Sequence, residues 1–199
     1  RGFFDQRYYK DGSMEGPGNY RDSSEFKKAA EEEGIKFIIL DDFKKISNNL
    51  YATGTVERVV EKYNGPKGFY LDKDLTIPDI IRDDQSVGML TDYGWIMMSG
   101  CGHSGIINTA MKLQSIKNEP VYGAIGGFHL FKASDNTIST TANWLKDNGL
   151  TKFMGGHCTG IYAAETIADI IGITRENLSH TAIGSVLTKE LKIIRSSVE

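Results

Sequence analysis

Three features are scarce in this sequence, and each scarcity argues against a class of protein. Only two of the 199 residues are cysteine, which is too few for a secreted disulfide scaffold, so we expect a cytoplasmic protein in a reducing compartment. Positive charge is not concentrated anywhere: the formal net charge is -3 and no long run of lysine and arginine occurs, so nucleic acid is not an expected partner. No apolar run approaches the length of a membrane span, and we expect no membrane association.

The remaining composition is that of an ordinary globular protein. Hydrophobic residues make up 40% and charged residues 25% of the chain. A chain of this length can bury a proper core, so we expect one domain, or one domain with a small additional lobe.

The stretch 95–105 organises the prediction. Residues 95–98 are all apolar, which predicts a strand buried on both faces, and the run ends in a glycine-rich turn that carries Cys101 and His103. Apolar residues recur at helical spacing over 106–113, so the predicted order is strand, turn, helix. In such units, ligands gather where the carboxyl ends of the strands meet the helices.

The same analysis along the chain predicts further helices and strands. The other predicted helices are 22–33, 139–148 and 161–171. The predicted strands are 35–40, 86–90, 95–99, 121–125, 152–154 and 181–187, of which 86–90 and 95–99 form a hairpin. The sequence of residues 41–81 predicts a long segment with little regular structure, which is either a lid over the site or a connection.

Three of the four histidines occupy equivalent places in this pattern. His103, His129 and His157 each lie a few residues after a predicted strand and within two residues of one or two preceding glycines, and one strand–helix unit separates each from the next. If the strands are neighbours, all three imidazoles point at one edge of the sheet. Such convergence is what a zinc or iron site requires, and the thiols of Cys101 and Cys158 could add soft ligands.

Other interpretations of these residues stay open. His129 could bind substrate or donate a supporting hydrogen bond, and His180 is expected to be structural. Cys101 and Cys158 could be buried small hydrophobes or part of a Cys/His nucleophilic pair, although no flanking sequence marks a thiol-protease site. Asp84 could bind metal, orient a ligand, or simply be a solvated residue before a strand.

Four blocks of sequence together resemble the metallo-β-lactamase superfamily. They are Asp-Asp-Gln-Ser at 83–86, Ser-Gly-Cys-Gly-His-Ser-Gly-Ile-Ile-Asn at 99–108, Ile-Gly-Gly-Phe-His-Leu at 125–130 and Gly-His-Cys-Thr-Gly at 156–160. Within that superfamily the chain looks like the branch of 7,8-dihydropterin-6-methyl-4-(β-D-ribofuranosyl)aminobenzene 5′-phosphate synthase-like metal-dependent hydrolases.

The resemblance implies an α/β fold, namely the carboxyl-terminal part of an αββα sandwich with a dinuclear metal site at the sheet edge. The ions are usually zinc, sometimes iron or manganese. By that pattern His157 stands at the superfamily's last histidine ligand, and either Cys101 or His103 is a second ligand. We favour His103, because neutral imidazole needs no deprotonation at neutral pH. Asp84, Cys101 and His129 are then expected to support the ligands or contact substrate.

The sequence departs from the family in one large respect. The superfamily's principal ligand motif, His-x-His-x-Asp-His, occurs nowhere in it. In this branch the motif lies upstream of the matching region, so the chain looks like the carboxyl-terminal portion of a longer protein: residues 1–82 an amino-terminal segment with a lid or connection, residues 83–199 the carboxyl-terminal half of the metallo-β-lactamase-like domain.

Two functions are therefore expected from the sequence. The first is a metal-dependent hydrolase or transferase that uses metal-activated water on an ester or phosphate-bearing small molecule, which is pterin-related if the branch is a guide. The alternative is a non-catalytic fragment or subunit that needs a second chain carrying His-x-His-x-Asp-His to complete the metal site.

Overall fold

The computed structural model describes residues 2–15, 22–62 and 68–195. The helices in these ranges are α1 (Ser23–Glu32), α2 (Ile106–Ile116), α3 (Asp135–Asp147) and α4 (Ile161–Ile171), with a short 3-10 helix at His157–Thr159. The strands are β1 (Arg7–Tyr9), β2 (Met14–Glu15), β3 (Lys44–Ser47), β4 (Leu50–Ala52), β5 (Phe69–Tyr70), β6 (Ser86–Thr91), β7 (Gly94–Ser99), β8 (Val121–Gly126), β9 (Lys152–Gly155), β10 (Leu178–His180), β11 (Val186–Leu187) and β12 (Ile193–Ile194).

A seven-stranded mixed sheet forms the centre of the fold, in the order β10-β9-β8-β7-β6-β4-β3. Strands β7 to β10 run parallel, whereas β6, β4 and β3 pair antiparallel. In the parallel part Ser99 pairs with Gly126, and Gly126 pairs with Gly155. These three strands therefore end at one level, and the turns that follow them leave the sheet side by side.

Helices α2, α3 and α4 share one hydrophobic core with this sheet. Trp95 and Met97, alternate residues of β7, point to the same face and are fully buried with Phe153 of β9. The indole of Trp95 donates a hydrogen bond to the carbonyl of Lys117 at 2.9 Å, so its one polar atom is satisfied. Each large apolar side chain buried in this way contributes about 1.5–3 kcal/mol to folding. The predicted α/β class is confirmed.

Most predicted elements form, and their ends follow local chemistry. The carboxylate of Asp22 accepts a hydrogen bond from the backbone N–H of Ser24 and caps α1. Helix α4 coincides with the prediction and ends at Gly172, whose φ of 82° is left-handed. Helix α3 begins earlier than predicted, because Ser134 caps it.

One predicted strand is wrong and another forms only in part. Residues 35–40 form no strand, and the side chains of Ile35, Ile38 and Ile39 are more than half exposed. An apolar run becomes a strand only where a neighbouring strand pairs with its backbone, and this run has none among the described residues. Of the strand predicted at 181–187 only Val186–Leu187 forms, as β11 paired with β12, and the strand that pairs with β9 lies earlier, as β10 at Leu178–His180.

The region predicted as a lid or connection contains more structure than expected. Strands β3 and β4 form a hairpin that extends the central sheet through β6, and β5 pairs with β1 in a small separate sheet. Residues 63–67, which the prediction included, lie outside the described residues. The division at residue 82 stays a prediction. None of the described helices is both long and apolar enough to cross a membrane.

The side chain of Asn108 fixes the loop that follows β4 against the start of α2. Its Oδ1 accepts hydrogen bonds from the N–H groups of Val59 and Val60 at 3.1 and 2.9 Å. Its Nδ2 donates to the carbonyls of Glu61 and Ser104 at 2.8 and 2.7 Å. Asn108 is only 2% exposed, and the carbonyl of Ser104, a residue that is 1% exposed, would lose its partner without gaining water if the amide were removed.

We expect Asn108→Ala to lower the free energy of unfolding by about 2–4 kcal/mol, because it removes four hydrogen bonds of a buried side chain and leaves the buried carbonyl of Ser104 without this partner. Urea denaturation followed by circular dichroism measures this. Asn143→Ala is the matched control, since Asn143 is exposed on α3 and its side-chain amide donates a hydrogen bond to the carbonyl of Ser139, one turn away in the same helix. Equal, small effects of the two substitutions would contradict the assignment.

Candidate metal centre

The aligned ends of three strands bring the predicted histidines together. His103 lies in the turn after β7, His129 in the turn after β8 and His157 in the 3-10 helix after β9. The ring centroids of His103 and His129 are 4.4 Å apart, and His157 Nε2 lies 3.1 Å from Cys101 Sγ. The sequence-based expectation that these side chains meet at one sheet edge is met by the geometry, whereas their individual roles stay predictions.

Two of these histidines have an unusual backbone. His129 and His157 each have a φ of 49°, in the left-handed region that non-glycine residues seldom adopt. Such conformations cost about 1–3 kcal/mol each, persist only where the surroundings fix them, and cluster at functional sites. The buried side chain of Thr159 contributes to this fixing, because its hydroxyl donates to the carbonyl of Gly126 and accepts from the N–H of Phe128, both at 3.1 Å.

Close packing at Gly127 holds the turns against one another. A Cβ atom there would lie 2.4 Å from the carbonyl oxygen of Gly100, 2.9 Å from Cys158 Sγ and 3.1 Å from the ring of His157. No side chain fits in that space without moving its neighbours. By contrast, a Cβ at Gly100 would meet nothing within 4 Å. Gly127 is therefore the contact point through which the three turns approach.

Both cysteines are free thiols within this cluster. The thiol of Cys158 donates to the carbonyl of Cys101 at 3.1 Å and accepts from the N–H of His129 at 3.3 Å. One donor atom each from Cys101, His157 and Cys158 lies within 4.8 Å of the others. Burial raises the pKa of Cys101 to about 11, with the adjacent Cys158 and Asp84 acting in the same direction. Without a cation, Cys101 is thus a protonated thiol at neutral pH.

The two acidic residues before β6, Asp83 and Asp84, make different contacts. Asp83 forms an ion pair with Arg7 at 2.6 Å, which ties the amino-terminal small sheet to the central one. The carboxylate of Asp84 instead accepts a hydrogen bond from the N–H of Ser104 at 2.7 Å. Asp84 therefore holds the turn that carries His103.

Burial keeps two of the imidazoles neutral. It lowers the pKa of His103, and Arg58 acts in the same direction, while Asp84 opposes both. Burial also lowers the pKa of His129, reinforced by His103. Neutral imidazole is the form that binds metal ions. The fourth histidine, His180, contacts Glu165 at 2.9 Å and the carbonyl of Gly155 at 3.3 Å, in keeping with a structural role.

The sequence pattern did not predict the hydrogen bonds that Glu61 and Arg58 make around the start of α2. The carboxylate of Glu61 accepts hydrogen bonds from the N–H groups of Ile107 and Asn108 at 2.7 and 3.2 Å, and Arg58 reaches the carbonyls of Ile81 and His103 at 3.1 and 3.5 Å. Gly105, which precedes α2, has no side chain to cap it. A helix without a local capping residue is the only sequence signal for such a distant cap, and it does not identify Glu61.

A groove of about 1030 Å³ opens beside His129. Phe128 and Leu130 supply part of an apolar wall, and Lys62, Lys132 and Asn136 supply polar groups. The groove is large enough for a small-molecule substrate of the usual size.

The donor set fits a metal ion. Neutral imidazoles and thiols are the nitrogen and sulfur ligands that zinc and similar ions take, and one donor atom each of Cys101, His157 and Cys158 lies within 4.8 Å of the others. Within this set, His157 directly contacts Cys101, and His103 directly contacts His129.

Comparisons with known proteins agree on both sequence and fold. No protein-family model matches the chain. The 7,8-dihydropterin-6-methyl-4-(β-D-ribofuranosyl)-aminobenzene-5′-phosphate synthase of Methanocaldococcus jannaschii is 33% identical over 143 residues, which cover 69% of this chain and 48% of that protein. An uncharacterized protein of the same archaeon is 30% identical over 135 residues, covering 66% of this chain and 48% of its own length. The chain thus spans about half the length of these curated relatives.

Among solved structures, a metal-dependent hydrolase of the β-lactamase superfamily superimposes with a TM-score of 0.67. The match covers 84% of this chain and 61% of that one at 24% identity, and it therefore bears on the fold alone. Sequence and fold together confirm the resemblance: the chain is a relative of the dihydropterin synthase-like branch and has the fold of the metallo-β-lactamase superfamily.

Proposed function

We propose that the chain is a metal-dependent enzyme, or the metal-binding part of one, that hydrolyses or transfers a group on an ester or phosphate-bearing small molecule. The observation that carries this is the convergence of three histidines and two cysteines at the ends of three adjacent parallel strands. Two of the histidines are held there in a left-handed backbone conformation. Zinc is the expected ion, with iron and manganese as alternatives.

Some residues of the site would bind the metal ion, and others would position those ligands or face the substrate. His157 and His103 would hold metal, as the family resemblance implies. A bound ion would supply an activated water and polarise the electrophile. Asp84 would keep the turn of His103 in place through Ser104, and His129 would face the substrate from the wall of the groove.

The groove supports a phosphate-bearing substrate. Lys62 and Lys132 place two ammonium groups around it, and its apolar wall suits a flat ring. The name of the curated relative specifies a pterin compound that bears a phosphate. We extend this to the chain as a pterin-related substrate, and a synthase-type transfer fits the same groove as well as hydrolysis does.

We expect His157→Ala and His103→Ala each to lower the amount of bound metal, because each removes an imidazole from the cluster. Metal content per chain, measured by inductively coupled plasma mass spectrometry after dialysis, checks this. His180→Ala is the control, since its imidazole contacts Glu165 on the surface. Unchanged metal content in both His157→Ala and His103→Ala would contradict the ligand assignment.

We also expect Gly127→Ala to weaken metal binding, because the added methyl group must push apart Gly100, Cys158 and His157. Gly100→Ala, in the same set of turns, adds the same methyl group where space is open and should leave affinity unchanged. Competition titration with a chromogenic zinc chelator measures both. Equal affinities for the two variants would show that the approach at Gly127 does not organise the site.

A second candidate is a subunit or fragment that becomes active only with another polypeptide segment. Two observations favour it: the sequence contains no His-x-His-x-Asp-His, and the chain spans about half the length of its curated relatives. The missing ligands would then come from a preceding segment or a second chain. A cytoplasmic location, expected from the free thiols, belongs to either candidate.

Turnover of bis(p-nitrophenyl) phosphate separates the two candidates. If the second holds, the zinc-loaded chain alone should be inactive and should gain activity when a polypeptide carrying His-x-His-x-Asp-His is added. A version of that polypeptide with alanine at its histidines is the control. Full turnover by the lone chain, with its intact mass equal to that of the printed sequence, would contradict the second candidate.

A further inference from the structure

We propose that Cys101, His157 and Cys158 bind one thiophilic divalent cation as a sulfur-rich site of their own, separable from the neighbouring His103–His129 pair. This rests on the proposed function in requiring a metal, and it goes beyond it by assigning the ligands. Both thiols bind the ion directly; they do not merely support a site whose ligands are all imidazoles.

The spacing of the three donor atoms suits tetrahedral coordination. Zinc binds sulfur at about 2.3 Å and imidazole nitrogen at about 2.0–2.1 Å, so donor atoms around one tetrahedral ion stand roughly 3.5–3.8 Å apart. In this chain Cys101 Sγ lies 3.1 Å from His157 Nε2, and all three donor atoms lie within 4.8 Å of one another. Small side-chain adjustments therefore suffice to admit an ion between them.

The backbone holds the donors in place before any ion binds. Cys158 Sγ is held between the N–H of His129 and the carbonyl of Cys101. His157 and Cys158 are consecutive in one 3-10 helix, and the left-handed backbone of His157 allows two adjacent residues to contact the same turn. Cys158 and His157 pack closely on Gly127, which limits how far their side chains can move away from the site. Metal binding would therefore cost little further side-chain conformational entropy.

The donor chemistry selects the class of ion. Two thiols and an imidazole favour zinc, cobalt or cadmium over magnesium or manganese, which prefer oxygen ligands. His157 is exposed and both cysteines are half-buried, so solvent reaches the cluster, and three protein ligands would leave a tetrahedral ion one position for water. An open fourth position is the arrangement of catalytic zinc sites.

Cobalt(II) is the sharpest probe, because a cobalt–thiolate bond gives a near-ultraviolet charge-transfer band that imidazole ligands lack. The chain has no other cysteine, so the band can arise only from Cys101 and Cys158. All three donors belong to this chain, and the titration therefore needs no second polypeptide. We expect wild-type protein to show the band with one equivalent of cobalt. Cys101→Ser and Cys158→Ser should each halve it per bound ion, and the double variant should lose it.

His103→Ala and His129→Ala are matched controls from the neighbouring pair, and the band should persist in both. Reaction of the wild-type protein with a thiol-specific disulfide reagent gives a second readout that needs no variant. Stoichiometric zinc should protect both thiols, whereas magnesium should not.

The outcomes separate this inference from the proposed function. Cobalt binding without a charge-transfer band, together with unprotected thiols, would overturn the sulfur-rich site while leaving an all-histidine metal site standing. A band lost in His103→Ala would overturn the claim that the two groups are separable. If neither cobalt nor zinc binds the wild-type chain, both the inference and the proposed metal-dependent function fail.

Discussion

The register of β7, β8 and β9 is the constraint on which the rest of this site depends. Parallel strands that end at one level deliver their following turns to one edge, and here Ser99, Gly126 and Gly155 are paired across the three strands. A shift of β8 by one residue would reverse the face of its side chains and move His129 away from His103. The core beneath the helices therefore also sets the geometry of the site, because the same packing of Trp95, Met97 and Phe153 fixes the register.

Alignment of strand ends is not sufficient, because ordinary turns would keep the side chains several ångströms apart. Two features bring the side chains closer together. A glycine lies where two backbones come into contact, and two histidines adopt a strained left-handed backbone conformation. Gly127 allows contact with the carbonyl of Gly100, and the left-handed backbone at His129 and His157 turns their rings into the cluster. The strain is balanced by hydrogen bonds of buried groups such as Thr159. Stability is thus spent locally to preorganise ligands.

The sequence was sufficient to predict the parts of the molecule in which pattern and packing agree. The strand at 95–99, helix α4 and the placement of three histidines behind glycine turns all follow from apolar periodicity and local capping. Residues 35–40 show where this fails, since an apolar run does not reveal whether a partner strand exists. The contacts of Glu61 and Asn108 could not be predicted either, because they join segments far apart in sequence through irregular backbone. Direct contact of Cys101 with His157 also depends on side-chain directions that spacing alone does not give.

Metal binding at this cluster would be linked to the protonation of Cys101. Burial and the neighbouring Cys158 raise the pKa of Cys101 to about 11, so its thiolate does not form unaided. His103 and His129 supply no compensating charge, because burial lowers the pKa of both imidazoles and favours their neutral form. The positive end of helix α2 is already occupied by the carboxylate of Glu61. A divalent cation bound there would displace the proton of Cys101 and would take neutral imidazole as a further ligand. Metal binding and thiolate formation at this sheet edge would therefore be one coupled event.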